Sequence, residues 1–234
     1  MSTWRVVLIG GGIAVLVVAL VVVLLVTGVL TLPNSPEASA RGPVLVALVL
    51  RDESGVRVPR VVDVYTRTQA GWAITSVSPT LPAVVSGTSG RTLADAYVFG
   101  GGDALAKAYS AGSRTSASAW VVVDQVAWER LVGSTPMSLE IPAHMEVYDG
   151  QQLIPFEQGT ASIPATETGS LLNGAAYLST RDSSLVRARV GDVLAARLSR
   201  AGAQDVVGLT SSLDAAQLRS WLSGLGTVAR ASGE

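Results

Sequence analysis

The sequence contains no cysteine, a single histidine (His144) and a single lysine (Lys107), and each scarcity removes a class of chemistry. Without cysteine there is no disulfide framework, no thiolate nucleophile and no thiolate metal site. With one histidine the ordinary ligand set of zinc cannot be assembled, and a Ser-His-Asp triad would have to use His144. Its neighbours, Pro142-Ala143 before and Met145-Glu146 after, match no base motif. No G-x-S-x-G elbow is present, and Ser89 in Gly87-Thr88-Ser89-Gly90 has the wrong spacing. Charge of one sign is missing too: the formal net charge is −1, with no basic or acidic block. Nucleic acid, which draws its affinity from clustered cations, is therefore excluded as a partner. Arginine supplies all but one of the 17 basic residues. A GC-rich genome explains that bias as well as a need for planar guanidinium forks does.

What the chain has in excess is apolar sequence. Residues 6–32 carry no charge, follow Arg5 and end at Pro33. At ~1.5 Å rise per residue, a ~30 Å hydrocarbon core takes about 20 apolar residues, so this run predicts a membrane helix. The rival is a cleaved signal peptide, and Ala38-Ser39-Ala40 could pass for its cleavage site, but such an apolar region is usually only ~7–15 residues long. Arg5 favours a cytoplasmic N-terminus and an extracytoplasmic remainder at the cell membrane. Gly10-Gly11-Gly12 reads as permissive membrane helix, because a nucleotide loop needs a preceding strand. The expected organisation is an anchor at 1–32, a tether at 33–43, an α/β domain at 44–202 and a helical appendix at 203–234.

Within the domain, 44–50 is a continuous apolar run stopped by Arg51-Asp52-Glu53-Ser54-Gly55, hence a buried strand and a turn. Segments 56–67 and 72–78 predict a hairpin, and 78–92 a long loop. Two short helices are expected over 93–111 around Gly100-Gly101-Gly102, with Asp103 near the start of the second. A buried strand at 119–124 precedes a short helix at 125–132 that Gly133 stops. A strand at 137–141 and a hairpin at 147–156 around Asp149-Gly150 follow. Residues 184–200 set Val186, Val190, Val193, Leu194 and Leu198 at helical spacing, leaving Arg187, Asp192, Arg197 and Arg200 elsewhere. After Gly202 a short segment of strand character leads to Ser211-Ser212-Leu213-Asp214, a capping-box signal. The final helix presents Leu218, Trp221, Leu222 and Leu225. Alternating strands and helices define an α/β fold, expected as one central mixed sheet flanked by helices behind a single transmembrane helix.

The densest group of candidate ligands is Arg181-Asp182 with Arg187 and Arg189, three guanidinium groups within nine residues. At a helix N-terminus they could surround a diphosphate through bidentate hydrogen bonds. They could equally be a solvated helix start with local ion pairs. A magnesium site of one or two carboxylates plus substrate phosphate is compatible with the composition.

Several short motifs run in one order from 44 to 201. They are Ala96-Tyr97-Val98-Phe99-Gly100-Gly101; Val121-Val122-Val123-Asp124 with Trp128 and Leu131-Val132-Gly133; 145–149 and 154–159; and Leu172-Asn173-Gly174 leading to Tyr177 and Arg181. In this order they resemble the LytR-CpsA-Psr family of membrane-anchored envelope proteins. The resemblance implies a single α/β domain behind one membrane helix. It also implies transfer of glycopolymers from a polyprenyl-pyrophosphate lipid to the cell wall, with the lipid tail in an apolar pocket and the pyrophosphate held by arginines and by an acid with magnesium. Arg187 corresponds to the first arginine of the family's helix, with Arg181 and Arg189 beside it. Asp63 or Asp182 would be the metal-binding acid.

The chain departs from this pattern at charged positions. The family's Ser-Ile-Pro-Arg-Asp stands here as Val77-Ser78-Pro79-Thr80-Leu81, and its upstream acid falls near Pro59, with Asp63 reachable by a shifted register. The arginine expected one turn after Arg187 is Val190. Losing one oxyanion or phosphate contact typically costs ~10²–10³ in rate, so the resemblance implies a degenerate member. Such a protein would bind a polyprenyl-linked precursor or support an active paralogue. The alternatives are an active magnesium-dependent transferase and a purely structural membrane protein.

Overall fold

The computed structural model describes residues 42–85, 87–148, 151–201 and 208–231. The expected membrane helix, all but the last two residues of the tether, and the Asp149-Gly150 turn lie outside the described residues. Among those described, no helix is long and apolar enough to cross a membrane.

Strand β1 (Val44–Arg51) is apolar without a period of two because both faces of its sheet are covered. Val44, Val46, Leu48 and Leu50 enter one core, and Leu45, Ala47 and Val49 the other. The following turn is closed by Asp52, whose Oδ1 accepts from the backbone N–H groups of Ser54 and Val56, each at 2.9 Å. Strand β2 (Arg57–Thr68) returns antiparallel to β1, and β3 (Gly71–Val77) antiparallel to β2.

Thr92 caps α1 (Leu93–Gly112) in a reciprocal box with Asp95. The helix is interrupted at Gly100 and Gly101, the latter at φ 63°, a left-handed conformation that glycine adopts without penalty. The two short helices expected on either side of the glycines are thus present, joined through the non-helical backbone of Gly100 and Gly101. Just after the kink Gly102 lies against the Trp120 indole, whose Nε1 donates to Asp103 at 2.6 Å. A Cβ at Gly102 would overlap three ring carbons of Trp120. Gly102→Ala is therefore expected to cost about 1–3 kcal/mol, read as a lowered urea midpoint at unchanged slope.

Strand β4 (Ala119–Val123) runs parallel to β1, and Asp124 caps α2 (Gln125–Val132) by accepting from the Ala127 N–H. Two small antiparallel pairs follow: β5 (Met137–Ile141) with β8 (Gly159–Ile163), and β6 (Met145–Tyr148) with β7 (Leu153–Phe156). Helix α3 (Thr168–Ala175) comes after β8. Helix α4 (Thr180–Leu198) starts a turn earlier than its apolar spacing predicts, because Ser179 caps it by accepting from the Asp182 N–H. It buries Val186, Val190, Leu194 and Leu198 as expected.

The last elements are β9 (Leu209–Ser211), α5 (Ala215–Ser223) and β10 (Val228–Arg230). The capping box before α5 is formed by Asp214 and Gln217, three residues on from the Ser211 position that the sequence pattern indicates. The six-stranded sheet has the order β10-β3-β2-β1-β4-β9 and is mixed. Both of its edge strands come from 203–234, the stretch expected as a helical appendix. Helix α1 covers one face, while α2 to α5 fill the other.

Candidate functional site

The three arginines singled out in α4 do not act together. Helical geometry turns each residue by about 100°, so Arg187 and Arg189 lie on nearly opposite faces. Arg181 and Arg189 are exposed, and only Arg187 is half-buried. Its Nη1 donates to Ser183 Oγ at 2.6 Å and its Nη2 to Ser184 Oγ at 3.2 Å, which folds the guanidinium back over the first turns of the helix.

A second half-buried guanidinium is Arg60, which sequence reasoning passed over. The β1–β2 ladder pairs Leu48 with Val61 and Val49 with Pro59, so Arg60 is the extra residue of a β-bulge. Bulges re-aim a side chain away from the regular alternation, and Pro59 has no N–H to lose from the ladder. The Arg60 side chain reaches α3, where its Nη2 donates to Asn173 Oδ1. Burial pulls the Arg60 guanidinium below its ordinary value; Asp52 and Glu53 oppose this and Arg187 adds to it. Burial lowers Arg187 as well. Both groups stay charged at any physiological pH.

The carboxylates that act on Arg60 also hold hydrogen-bond partners of their own. Asp52 holds its turn, and although burial pushes its carboxyl up, the Ser54 hydroxyl and the backbone N–H groups of Val56 and Ser54 keep it below the usual range. Glu53 accepts from the Tyr177 hydroxyl at 3.1 Å, which raises the phenol. Among the described residues neither Arg60 nor Arg187 makes an ion pair. Arg60, Asn173, Tyr177, Asp52 and Glu53 line a cavity of about 330 Å³. All but Arg60 also line a larger cavity of about 890 Å³ that extends to Gln125, Tyr148 and Ser170.

The two acids considered for magnesium do not converge. Asp63 is 0% exposed on β2. Its Oδ1 accepts from Ser76 Oγ at 2.7 Å and from Arg230 Nη1 at 3.3 Å, and its Oδ2 from Arg230 Nη2 at 3.4 Å. Arg230 also donates to Asp192 Oδ1 at 2.7 Å and to the Ala188 carbonyl at 3.0 Å. Gly191 leaves the room that Asp63 occupies, since a Cβ there would collide with Oδ2. Asp182 sits nine residues before Gly191, about 14 Å along the helix, and accepts from Ser179 Oγ at 2.7 Å. Magnesium needs oxygen ligands at about 2.0–2.1 Å and open positions for water and phosphate. Asp63 offers neither, because a guanidinium already occupies its open side, and Asp182 is too far away to share an ion with it. Among the described residues no cluster of three metal-ligating side chains forms. Asp63 is thus satisfied by Arg230 and Ser76, and Asp63 and Asp182 do not share one ion.

A mixed sheet covered on both faces, with the half-buried Arg60 guanidinium lining a polar cavity, defines an α/β domain with a candidate anion site. No family profile matches the chain, and no curated protein matches it by sequence. Its fold is that of the LytR-CpsA-Psr proteins. It is similar to the LytR-Csp2A-Psr enzyme from Actinomyces oris, with a TM-score of 0.60 and 14% identity over 85% of this chain and 82% of that one. Against B. subtilis TagV the TM-score is 0.53, with 17% identity over 83% and 86% of the two chains. A structure of TagT bound to LI-WTA gives 0.56, with 16% identity over 86% and 81%.

Proposed function

We propose that this protein is a membrane-anchored, extracytoplasmic component of cell-envelope assembly that holds a polyprenyl-linked glycopolymer precursor by its pyrophosphate, for use by an active paralogue. The observation that carries the reading is Arg60, a half-buried guanidinium that a β-bulge delivers to the polar cavity beside α3. The Arg60 guanidinium is half-buried, Asp52 and Glu53 only oppose the effect of burial on it from a distance, and among the described residues it makes no ion pair. Partial burial without an ion-pair partner is unfavourable in the free protein, and an anion beside the guanidinium relieves it. TagT, which shares the fold, binds LI-WTA, and the anchor read at 6–32 would place the site where lipid-linked precursors are. A holding role is favoured over magnesium-dependent transfer because Val77-Ser78-Pro79-Thr80-Leu81 stands where the family has Ser-Ile-Pro-Arg-Asp and Val190 where it has a second arginine.

The test is mass spectrometry of lipid co-purified with the full-length chain in mild detergent. Polyprenyl phosphate or pyrophosphate is expected with the wild type and with Arg181→Ala, whose side chain is exposed, and is expected to be lost with Arg187→Ala. Absence of polyprenyl lipid from the wild type, or equal retention by Arg187→Ala, would overturn the assignment.

A further inference from the structure

The Arg60 cavity and the larger one beside it meet at four residues, two of which are tied to each other across the fold. Asp52 and Glu53 come from the turn after β1, Asn173 and Tyr177 from the end of α3, and all four line both cavities. The Tyr177 hydroxyl donates to the Glu53 carboxylate, 3.1 and 3.2 Å from its two oxygens, between residues 124 apart in sequence. We propose that this hydrogen bond is a latch between the two cavities. A ligand held at Arg60 and extending into the larger cavity must displace Tyr177 from Glu53, whereas a ligand that fits the Arg60 cavity alone need not. The inference rests on the function proposed above and adds a specificity device to that same site.

The backbone on both sides of the latch is held in place. Asp52 closes the turn that carries Glu53, accepting from the N–H groups of Ser54 and Val56. On the other side the N–H groups of Ala176, Tyr177 and Leu178 donate to the carbonyls of Asn173, Gly174 and Ala175. A Cβ at Gly174 would collide with Val147 and Met145, so the end of α3 sits closely on β6. What is free to move is the Tyr177 side chain, 77% exposed and outside the core. Its rotation breaks one hydrogen bond and uncovers no core. The two volumes decide which ligands meet the latch. About 330 Å³ at Arg60 takes a bare diphosphate, and the adjoining space of about 890 Å³ takes what the diphosphate carries. Gln125, Tyr148 and Ser170 line that larger space with groups that hydrogen-bond to hydroxyls and amides. The extension it suits is therefore polar, of the sugar type, and not an alkyl chain.

The experiment is calorimetric titration of the detergent-solubilised full-length protein, in millimolar magnesium, with inorganic pyrophosphate and with UDP-N-acetylglucosamine, a diphosphate that carries a sugar. The variant is Tyr177→Phe, which keeps the ring and removes only the hydroxyl. It is expected to bind the sugar diphosphate about threefold to tenfold more tightly than the wild type, the effect of one net hydrogen bond no longer broken on binding. Its affinity for inorganic pyrophosphate is expected to be unchanged. In a Glu53→Ala background the hydroxyl has already lost its acceptor, and Tyr177→Phe should then alter neither affinity. Unchanged affinity for the sugar diphosphate, or equal tightening for both ligands, overturns the latch. Weaker binding by Tyr177→Phe also overturns it, because the hydroxyl then touches the ligand directly. Binding of pyrophosphate without any binding of the sugar diphosphate overturns the extension into the larger cavity. All of these outcomes leave Arg60 as an anion site. Absence of pyrophosphate binding, or binding that Arg60→Ala does not weaken, overturns the proposed function and the latch together.

Discussion

Arg230→Ala is expected to destabilise the domain by about 3–5 kcal/mol, the range for removing one partner of a buried ion pair. The size follows from what stays behind. Asp63 is 0% exposed in an inner strand of the sheet, and without Arg230 it keeps only the Ser76 hydroxyl. The same substitution releases Asp192 and the Ala188 carbonyl, and with them the tie between β10 and α4. Urea denaturation measures the effect. Asp63→Asn alone should cost less, because Arg230 retains Asp192. The double variant Asp63→Asn, Arg230→Ala should be more stable than additivity predicts, since neither substitution then strands a charge. A loss of less than about 1 kcal/mol in Arg230→Ala, within the ordinary run of substitutions, would show that the network does not hold the edge strand.

The pH dependence of that loss has a definite sign. Burial raises the Asp63 carboxyl above its ordinary value, and the charge and hydrogen bonds of Arg230, followed by Ser76, pull it back only in part. A carboxyl raised in the folded state binds its proton more readily there than in the unfolded chain. Its contribution to stability is therefore present at low pH and lost as pH rises through the folded-state value. Removing Arg230 widens this gap. The deficit of Arg230→Ala relative to wild type should shrink in mild acid, between the ordinary carboxyl value of ~3.9 and the raised one, and grow towards neutrality. Subtracting the wild type at each pH cancels Asp52 and Asp95, whose carboxyls are lowered and which act in the opposite sense.

The elements legible in the sequence are those with enough length to show a period or a stop. Strand β1 announced itself as an apolar run, α2 by Asp124 and Gly133, and α4 by Val186, Val190 and Leu194. Strand β9 falls on the short segment of strand character expected before Ser211, whereas β10 has three residues, too few for an alternation, and the place of both in the sheet is decided by pairing with β4 and β3. Helix α3 carries Thr168, Gly169, Ser170 and Gly174, a composition that reads as loop until tertiary packing overrides it. At the site, Arg187 was visible because its helix and motif were. Arg60 was hidden because a bulge has no period, although Pro59 inside a β-branched strand is a local signal of one. Asp63 was legible as an acid but not as the partner of Arg230, 167 residues away in sequence. No pattern in the chain encodes that contact. Its consequence is that a residue which composition offers to a metal is satisfied from within.

The second large effect is expected at Trp128, and it connects the core to the site. Trp128 is 0% exposed, and its indole Nε1 donates to Thr168 Oγ1 at 2.9 Å, itself 0% exposed at the first position of α3. The bond joins α2 to the helix that presents Asn173 to Arg60. Trp128→Ala should cost about 3–5 kcal/mol, combining lost burial with a cavity. Trp128→Phe retains most of the apolar contact but orphans the Thr168 hydroxyl, and should cost about 1–3 kcal/mol. Urea midpoints of the two variants separate volume from hydrogen bonding: equal losses would mean that the bond, not the ring, carries the effect. If Asn173 is rigid because α3 is held in this way, Trp128→Phe should also weaken diphosphate binding, while Gly102→Ala, on the opposite face of the sheet, should lower stability and leave binding unchanged. Equal weakening by both would mean that the site answers to global stability and that α3 has no special part in positioning Arg60.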